Sequence, residues 1–398
     1  MKKFTNFSFN LYTDILFGKG TETEAASLVK KHGGTKVLLV YGGGSIKKTG
    51  LYDRVVKSLK DGGLPFVELG GVQPNPRRTL VEKGIKIAKD EKIDFFLAVG
   101  GGSTIDTAKG IALAIANNGE YWKFYNKTPA PKMAKVGTIH TISAAGSETS
   151  RSSVLVDDID GTGKHGFLWE PCRPVFAIMN PELTYSVSAY QTGSGTADIL
   201  AHSVMRYFVQ ADSYLGDEYA EATMRTVVKY GPLVLAKPND YEGRAELMLA
   251  GSFSHNDLTG IGRSAPFGGE HGLEEQLSGH YDTAHGAGLS VVMPSWLQYI
   301  ADHGTPDQVA RVAKFGIKVF GADPDPADIK ATADDGLRRF RAWLKSIGMP
   351  LTLKELGVPK ADLQAVIDRC VKAQGGTIQG YVDLGKDAIT AIFTAVAE

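Results

Sequence analysis

Four residues in the second half of the chain carry metal-binding chemistry. Asp198 and His202 lie four apart in GTADILAH, so on a helix both point from one face. His271 and His285 follow in GGEHGLEEQLSGHYDTAHGAGLS. Three neutral imidazoles and one carboxylate suit Zn2+ or Fe2+ and leave the ion a net positive charge. That residual charge lets an ion polarise a carbonyl or alcohol oxygen. Taken singly, each histidine reads as readily as a packing or surface residue, and spacing alone does not bring the three segments together.

A second chemistry needs backbone rather than side chains. Residues 100–109 read GGGSTIDTAK, following an apolar run and opening a helical stretch. Gly101 and Gly102 let the backbone approach a ligand closely, and a helix start offers unpaired N–H groups to an anion. Ser103 is placed to cap that helix. Gly42, Gly43, Gly44 and Ser45 repeat the pattern after an earlier apolar run. Two such loops in strand-to-helix context predict a nucleotide site at the carboxyl edge of a sheet. Neither fits GxGxxG or GxxxxGK[ST], which disfavours phosphoryl transfer. The absence of a GxSxG elbow, an HExxH pair or a Cys/His run leaves hydrolase and zincin readings without support.

Elements must position these groups. Residues 36–41 (KVLLVY), 65–69 (PFVEL) and 93–99 (IDFFLAV) read as buried strands, with further strands near 135–141 and 174–179. Residues 46–60, 77–90 and 104–116 have helical spacing. Continuous apolar strands alternating with helices predict a parallel sheet covered on both faces. Beyond about residue 185 strand signals nearly vanish, and 195–208, 218–230, 243–253, 306–320, 327–347 and 360–373 read as helices. Asn180-Pro181 is a natural turn between the halves. The expectation is an α/β domain over residues 1–185 and an all-helical domain over 186–398. Phe95, Phe96, Tyr207 and Phe208 read as core.

Composition narrows the partners. The 398 residues hold 44 Lys plus Arg against 44 Asp plus Glu, so no basic field exists to hold nucleic acid or an anionic membrane. Two cysteines are too few for a disulfide scaffold or a thiolate zinc site. The N-terminal stretch lacks a signal-peptide core, and the longest apolar runs fall short of the roughly 20 residues that span a bilayer. A cytoplasmic protein without membrane or nucleic-acid partners is expected.

Together these segments resemble the iron-containing (group III) alcohol dehydrogenase family, in particular its butanol dehydrogenase-like branch. The resemblance runs through FGKG, YGGGSIKKTGLYD, VQPNP, AVGGGSTIDTAKGIA, SAAGSETSRSSV, FAIMNPELTY, GTADILAH and YDTAHGAGLSVVMP, nearly the whole chain. It implies a dehydroquinate synthase-like architecture: an N-terminal dinucleotide-binding domain, a helical metal-binding domain, and an active site in the cleft between. It implies a nicotinamide cofactor, a divalent Fe2+ or Zn2+, primary alcohols or aldehydes as substrates, and a homodimer. By motif match the metal ligands are Asp198, His202, His271 and His285. The pyrophosphate lies on Gly101, Gly102 and Ser103, with Asp106 just inside the helix, while Asn75, Thr141 and Leu183 match positions beside the cofactor. Lys164 matches a lysine near the nicotinamide ribose.

Three positions depart from the family pattern. Glu275 stands where many members carry another histidine, Gly268 replaces an aromatic, and Ala145 replaces a threonine. An ordinary glutamate relays protons poorly at neutral pH, so Glu275, His280 and a ribose hydroxyl are the candidate relays. The open glycines at 42–44, Ser45 and two following lysines, Lys47 and Lys48, predict NADP(H) over NAD(H). A dehydroquinate synthase-type lyase is the alternative, but the segment around His271 and His285 lacks the Lys and Arg that a polyanionic substrate needs. A non-catalytic nucleotide-binding protein is the third reading.

Overall fold

The structure is a computed structural model that describes residues 2–125, 132–263, 268–373 and 375–398. Its strands are β1 (Lys2–Lys3), β2 (Asp14–Phe17), β3 (Val37–Gly42), β4 (Phe66–Val72), β5 (Phe95–Gly100), β6 (Lys135–His140), β7 (Ser152–Asp157), β8 (Gly163–Leu168), β9 (Phe176–Met179) and β10 (Ala211–Asp212). The chain divides into two compact units, Asn10–Val187 and a second unit made of Met1–Phe9 and Ser188–Glu398.

In Asn10–Val187 six parallel strands pair in the order β2-β9-β6-β5-β3-β4. Alternation explains the burial on both faces. Leu38, Val40, Phe96 and Ala98 pack into one apolar layer, whereas Val37, Leu39, Phe95 and Leu97 pack into the other. The helices Arg78–Asp90 and Gly102–Ala116 cover the first layer, and Ala25–Lys31 with Leu51–Asp61 cover the second. Strand β3 sits between β4 and β5, so the winding reverses beside β3 and β5, the place where such sheets take ligands.

The single helix expected over residues 46–60 is two pieces, Ser45–Lys48 and Leu51–Asp61, because Gly50 at φ 70° turns the chain through the left-handed region. The antiparallel pair β7–β8 lies outside the expected strands, since β7 opens with two serines and β8 carries Gly163, Lys164, His165 and Gly166, so neither shows a continuous apolar run.

The other unit is helical, as expected: Ala189–Tyr207, Tyr214–Ala236 and Tyr241–His255 start earlier than the expected segments, Pro306–Phe320 matches its segment, and Ile329–Ser346 and Leu363–Ala373 lie inside theirs. Two more helices, Gly269–Tyr281 and His285–His303, carry His271 and His285. The first residues also belong to this unit rather than to the α/β half where the sequence reading put them. Strand β1 pairs with β10, and Thr5 N donates to Gly262 O at 3.1 Å. Among the described residues, no helix is long and apolar enough to cross a membrane.

Candidate functional site

The helical unit gathers the expected ligands. Ser188 caps the helix Ala189–Tyr207 by accepting from Gln191 N, and residues 192–204 are buried almost all round. Asp198 and His202 therefore face inward one turn apart, with His202 Nε2 3.4 Å from Asp198 Oδ1. His285 opens its own helix beside them. A Cβ at Gly286 would stand 1.9 Å from Ser194 O, so only glycine lets the two helices approach this closely. His285 Nε2 lies 3.9 Å from Asp198 Oδ1. The His271 ring centroid is 5.0 Å from that of His202 and 5.4 Å from that of His285. Ligand atoms of Asp198, His202 and His271 all fall within 4.8 Å of one another.

Electrostatics keep this cluster ready for a cation. Burial first, then the neighbouring His255 and His271, hold the His202 imidazole well below its usual pKa. A neutral ring is the form that ligates a metal. His271 Nε2 is buried and finds no hydrogen-bond partner among the described residues.

The α/β unit presents the two glycine loops at the carboxyl ends of β3 and β5, side by side at the winding reversal. Gly101, not Ser103, holds the cap position of the helix Gly102–Ala116, and no side chain caps it. Ser103 lies inside the first turn, where its carbonyl accepts from Thr107 Oγ1 at 2.8 Å. The missing cap leaves the first-turn N–H groups to a ligand. A Cβ at Gly101 would stand 2.3 Å from Ile142 Cγ2, and one at Gly102 would meet only Ala145 at 3.7 Å and Ser147 at 4.0 Å.

Asp106 works from beneath. Its carboxylate accepts from Ser147 Oγ at 2.6 Å and Val154 N at 3.0 Å, and burial pushes its pKa up. One turn on, Lys109 Nζ donates to the carbonyls of Ser147, Ser150 and Ser152. Asp106 thus anchors the 147–154 segment.

The other expected cofactor residues all belong to this unit. Asn75 is buried at φ 53°, Thr141 N donates to Gly100 O at 3.2 Å, and Leu183 lies in the short turn Pro181–Thr184. Lys164 stands on β8 opposite Val156. At the first loop Gly43 and Ser45 are exposed, and a Cβ at Gly43 would meet nothing within 4 Å. Lys47 lies over the rings of Tyr41 and Tyr52, 5.1 and 4.7 Å from their centroids, and both phenols donate to Glu68.

Glu275 is half-buried one turn after His271, whereas His280 is exposed beside Tyr281 and half a turn off the His271 face, so it does not join the cluster. Burial, with Arg369 nearby, lowers the His280 pKa. At Gly268 a Cβ would lie 3.0 Å from Met205 Cγ and Sδ, so Met205 takes space that a side chain there would need. Sequence reading missed three neighbours of the cluster. Glu270 Oε1 is 3.1 Å from His271 Nδ1, Glu274 contacts His285 Nδ1, and His255 stacks on His202 with centroids 4.0 Å apart. The acids immediately before and three after His271 were the available signal.

A doubly wound sheet with ligand loops, on one chain with a three-histidine, one-carboxylate cluster, is the pairing expected of a metal-dependent dehydrogenase. Family comparisons bear this out. The iron-containing alcohol dehydrogenase profile matches residues 13–181, and the profile for the C-terminal part of the Fe-containing alcohol dehydrogenase family matches 192–397. The chain is 37% identical over 391 residues to NADH-dependent butanol dehydrogenase A of Clostridium acetobutylicum, covering 98% of each. It is 29% identical over 373 residues to an NADPH-dependent aldehyde reductase of Escherichia coli, covering 92% of each. The crystal structure of the NADH-dependent butanol dehydrogenase A of Thermotoga maritima superposes with a TM-score of 0.93 at 33% identity, covering 100% of both chains. The chain belongs to the iron-containing alcohol dehydrogenase family.

Proposed function

We propose that the chain is an NAD(P)H-linked oxidoreductase interconverting a primary alcohol and its aldehyde, with Asp198, His202, His271 and His285 holding Fe2+ or Zn2+. The cluster itself carries the reading: ligand atoms of Asp198, His202 and His271 lie within 4.8 Å of one another. The donor set fits, since nitrogen and oxygen ligands with a single negative charge suit either ion. When bound, such an ion supplies Lewis acidity to a carbonyl oxygen, and a nicotinamide supplies hydride.

The chain's own residues do the rest. First-turn N–H groups of Gly102 and Ser103 hold the pyrophosphate, with Asp106 and Lys109 fixing the segment beneath it. Asn75, Thr141, Leu183 and Lys164 orient the cofactor. The Glu275 carboxyl, in its protonated form, hands its proton to the product oxygen and is reprotonated from water, and His280 is the weaker relay because it is exposed and off the His271 face. The test is a spectrophotometric screen of short aldehydes with NADPH and NADH after loading with each metal. No cofactor oxidation under any pairing rejects the reading.

NADPH is the preferred cofactor in this proposal. The open space at Gly43 admits a 2′-phosphate, Ser45 can donate to it, and the exposed Lys48 adds charge, while Lys47 is engaged with Tyr41 and Tyr52. The relatives are split, since the Clostridium protein is named for NADH and the Escherichia one for NADPH. Equal kcat/KM with both cofactors rejects the preference. A homodimer is proposed from Phe4, Phe7, Tyr214 and Leu215, large apolar side chains of one unit that are more than half exposed (61, 51, 78 and 51%). Sedimentation equilibrium showing a monomer at micromolar concentration removes it. The buried free thiols Cys172 and Cys370 fit a reducing cytoplasm, which fractionation of the native cells checks.

A further inference from the structure

Two glutamates of the helical unit are fully buried beside the histidine cluster. Glu270 and Glu274 lie four apart on the helix Gly269–Tyr281, on one face, and both have 0% exposure. A carboxylate is kept out of water at a heavy cost unless a cation or strong donors compensate it. Neither is placed by the resemblance or by the sequence reading, which looked instead to Glu275.

Each touches one candidate ligand at the same ring atom. Glu270 Oε1 is 3.1 Å from His271 Nδ1, and Glu274 Oε2 contacts His285 Nδ1. The opposite ring atom is Nε2 in both: that of His285 is 3.9 Å from Asp198 Oδ1, and that of His271 is buried with no hydrogen-bond partner among the described residues. A carboxylate accepting Nδ1–H fixes the tautomer and leaves the Nε2 lone pair for a metal. His202 is held differently, by its ring stacked on His255 at 23°.

Packing fixes Glu274 in place. A Cβ at Gly288 would stand 2.5 Å from Glu274 Oε1, so the carboxylate lies against the first turn of the helix His285–His303. The positive end of that helix favours an anion there.

We propose that Glu270 and Glu274 are the outer carboxylates of the metal centre, and that Glu274 is a positioning residue that sets the orientation and donor strength of His285. This rests on the ligand assignment proposed above. Its effect is on metal retention before any effect on turnover, because a more basic imidazole binds the ion more tightly.

The test uses the full-length protein loaded with Zn2+ or Co2+. Zn2+ affinity is measured by chelator competition and ligand geometry by the visible absorption of the Co2+ form, in the parent, E274A, E274Q and H285A. E274A is expected to weaken Zn2+ binding about 10–100-fold and to shift the Co2+ bands. E274Q keeps an acceptor for Nδ1–H, so it should retain the band positions with a smaller loss of affinity. If E274A does not fold, E274Q still decides through its affinity, with folding checked by circular dichroism. Parent-like affinity and spectra in the folded Glu274 variants, while H285A loses the metal, overturn the proposal and spare the ligand assignment. Retention of metal by H285A overturns both.

Discussion

The two proposed sites are built from opposite materials. In the α/β unit the glycine loops offer backbone N–H groups, and what matters is the absence of side chains at Gly101 and Gly102. In the helical unit the cluster is all side chain, four residues drawn from three helices and braced by two buried glutamates. A site made of backbone fails when something is added, whereas a site made of side chains fails when something is taken away. The two should also fail in different observables, nucleotide affinity in one and metal content in the other.

The largest effect is expected from subtraction in the helical unit. His271→Ala should drop turnover to background and strip the metal, with the fold retained, because the ring belongs to the polar cluster rather than to the apolar core. Metal analysis and circular dichroism check this, and full metal content with parent activity would reject the assignment.

Addition in the α/β unit comes next. Gly101→Ala places a methyl 2.3 Å from Ile142 Cγ2, and the overpacking should raise KM for the dinucleotide about 10–100-fold with metal content unchanged. Adding Ile142→Ala should recover part of the loss, since the two positions share one space. An unaltered KM in the single variant means that this loop does not hold the cofactor.

Gly43→Asp has a smaller expected effect. A Cβ there meets nothing within 4 Å and the position is exposed, so stability should change little. Its charge should move the NADPH-to-NADH ratio of kcat/KM about tenfold toward NADH, limited by salt screening at an exposed loop. An unmoved ratio places the adenosine end of the cofactor elsewhere.

The smallest effect is on acid stability. Hydrogen bonds from Thr162 and Arg78 outweigh burial and lower the Asp157 carboxyl from the usual 3.8 to about 2. A depressed carboxylate contributes stability that is present above its unfolded pKa and lost as pH falls toward the folded value. Hydrogen-exchange protection across β7 and β8, taken relative to the intrinsic rate at each pH, should therefore fall between roughly pH 4 and 2, and Asp157→Asn should flatten that dependence. An identical profile in the variant would remove Asp157 from the cause.

Legibility in the sequence followed the physics of each element. The continuous apolar runs of β3 and β5 announced a two-faced sheet, because every residue of those runs is buried. The helices bearing His271 and His285 did not announce themselves. In Gly269–Tyr281 the buried face carries Glu270, Glu274 and Ser278 beside only two apolar side chains, Leu273 and Leu277, so the apolar period is short and diluted by polar residues. His285–His303 begins with glycines and contains Pro294, which reads as a breaker. Ser103 was misplaced by two positions as a cap because a glycine cap leaves no side-chain signal. The cluster of Asp198, His202, His271 and His285 was legible through motif resemblance, while the glutamates beside it look in sequence like ordinary solvated charges.

The short pairing of β1 with β10 has a consequence for how the chain is threaded. Met1–Phe9 and Ser188–Glu398 make one unit, so the backbone leaves the helical unit, completes the α/β unit and then returns. Topologically the α/β unit is a guest inserted into a host, tethered at both its ends. During synthesis the guest can close on itself as soon as its last strand emerges, but the first strand must wait about 200 residues for its partner. Closing so long a loop adds little entropy beyond a shorter one, yet it fixes an order of assembly in which the guest is finished first. A single backbone cut at the second crossing would accordingly leave the α/β unit with all of its own residues but part the helical unit from Met1–Phe9.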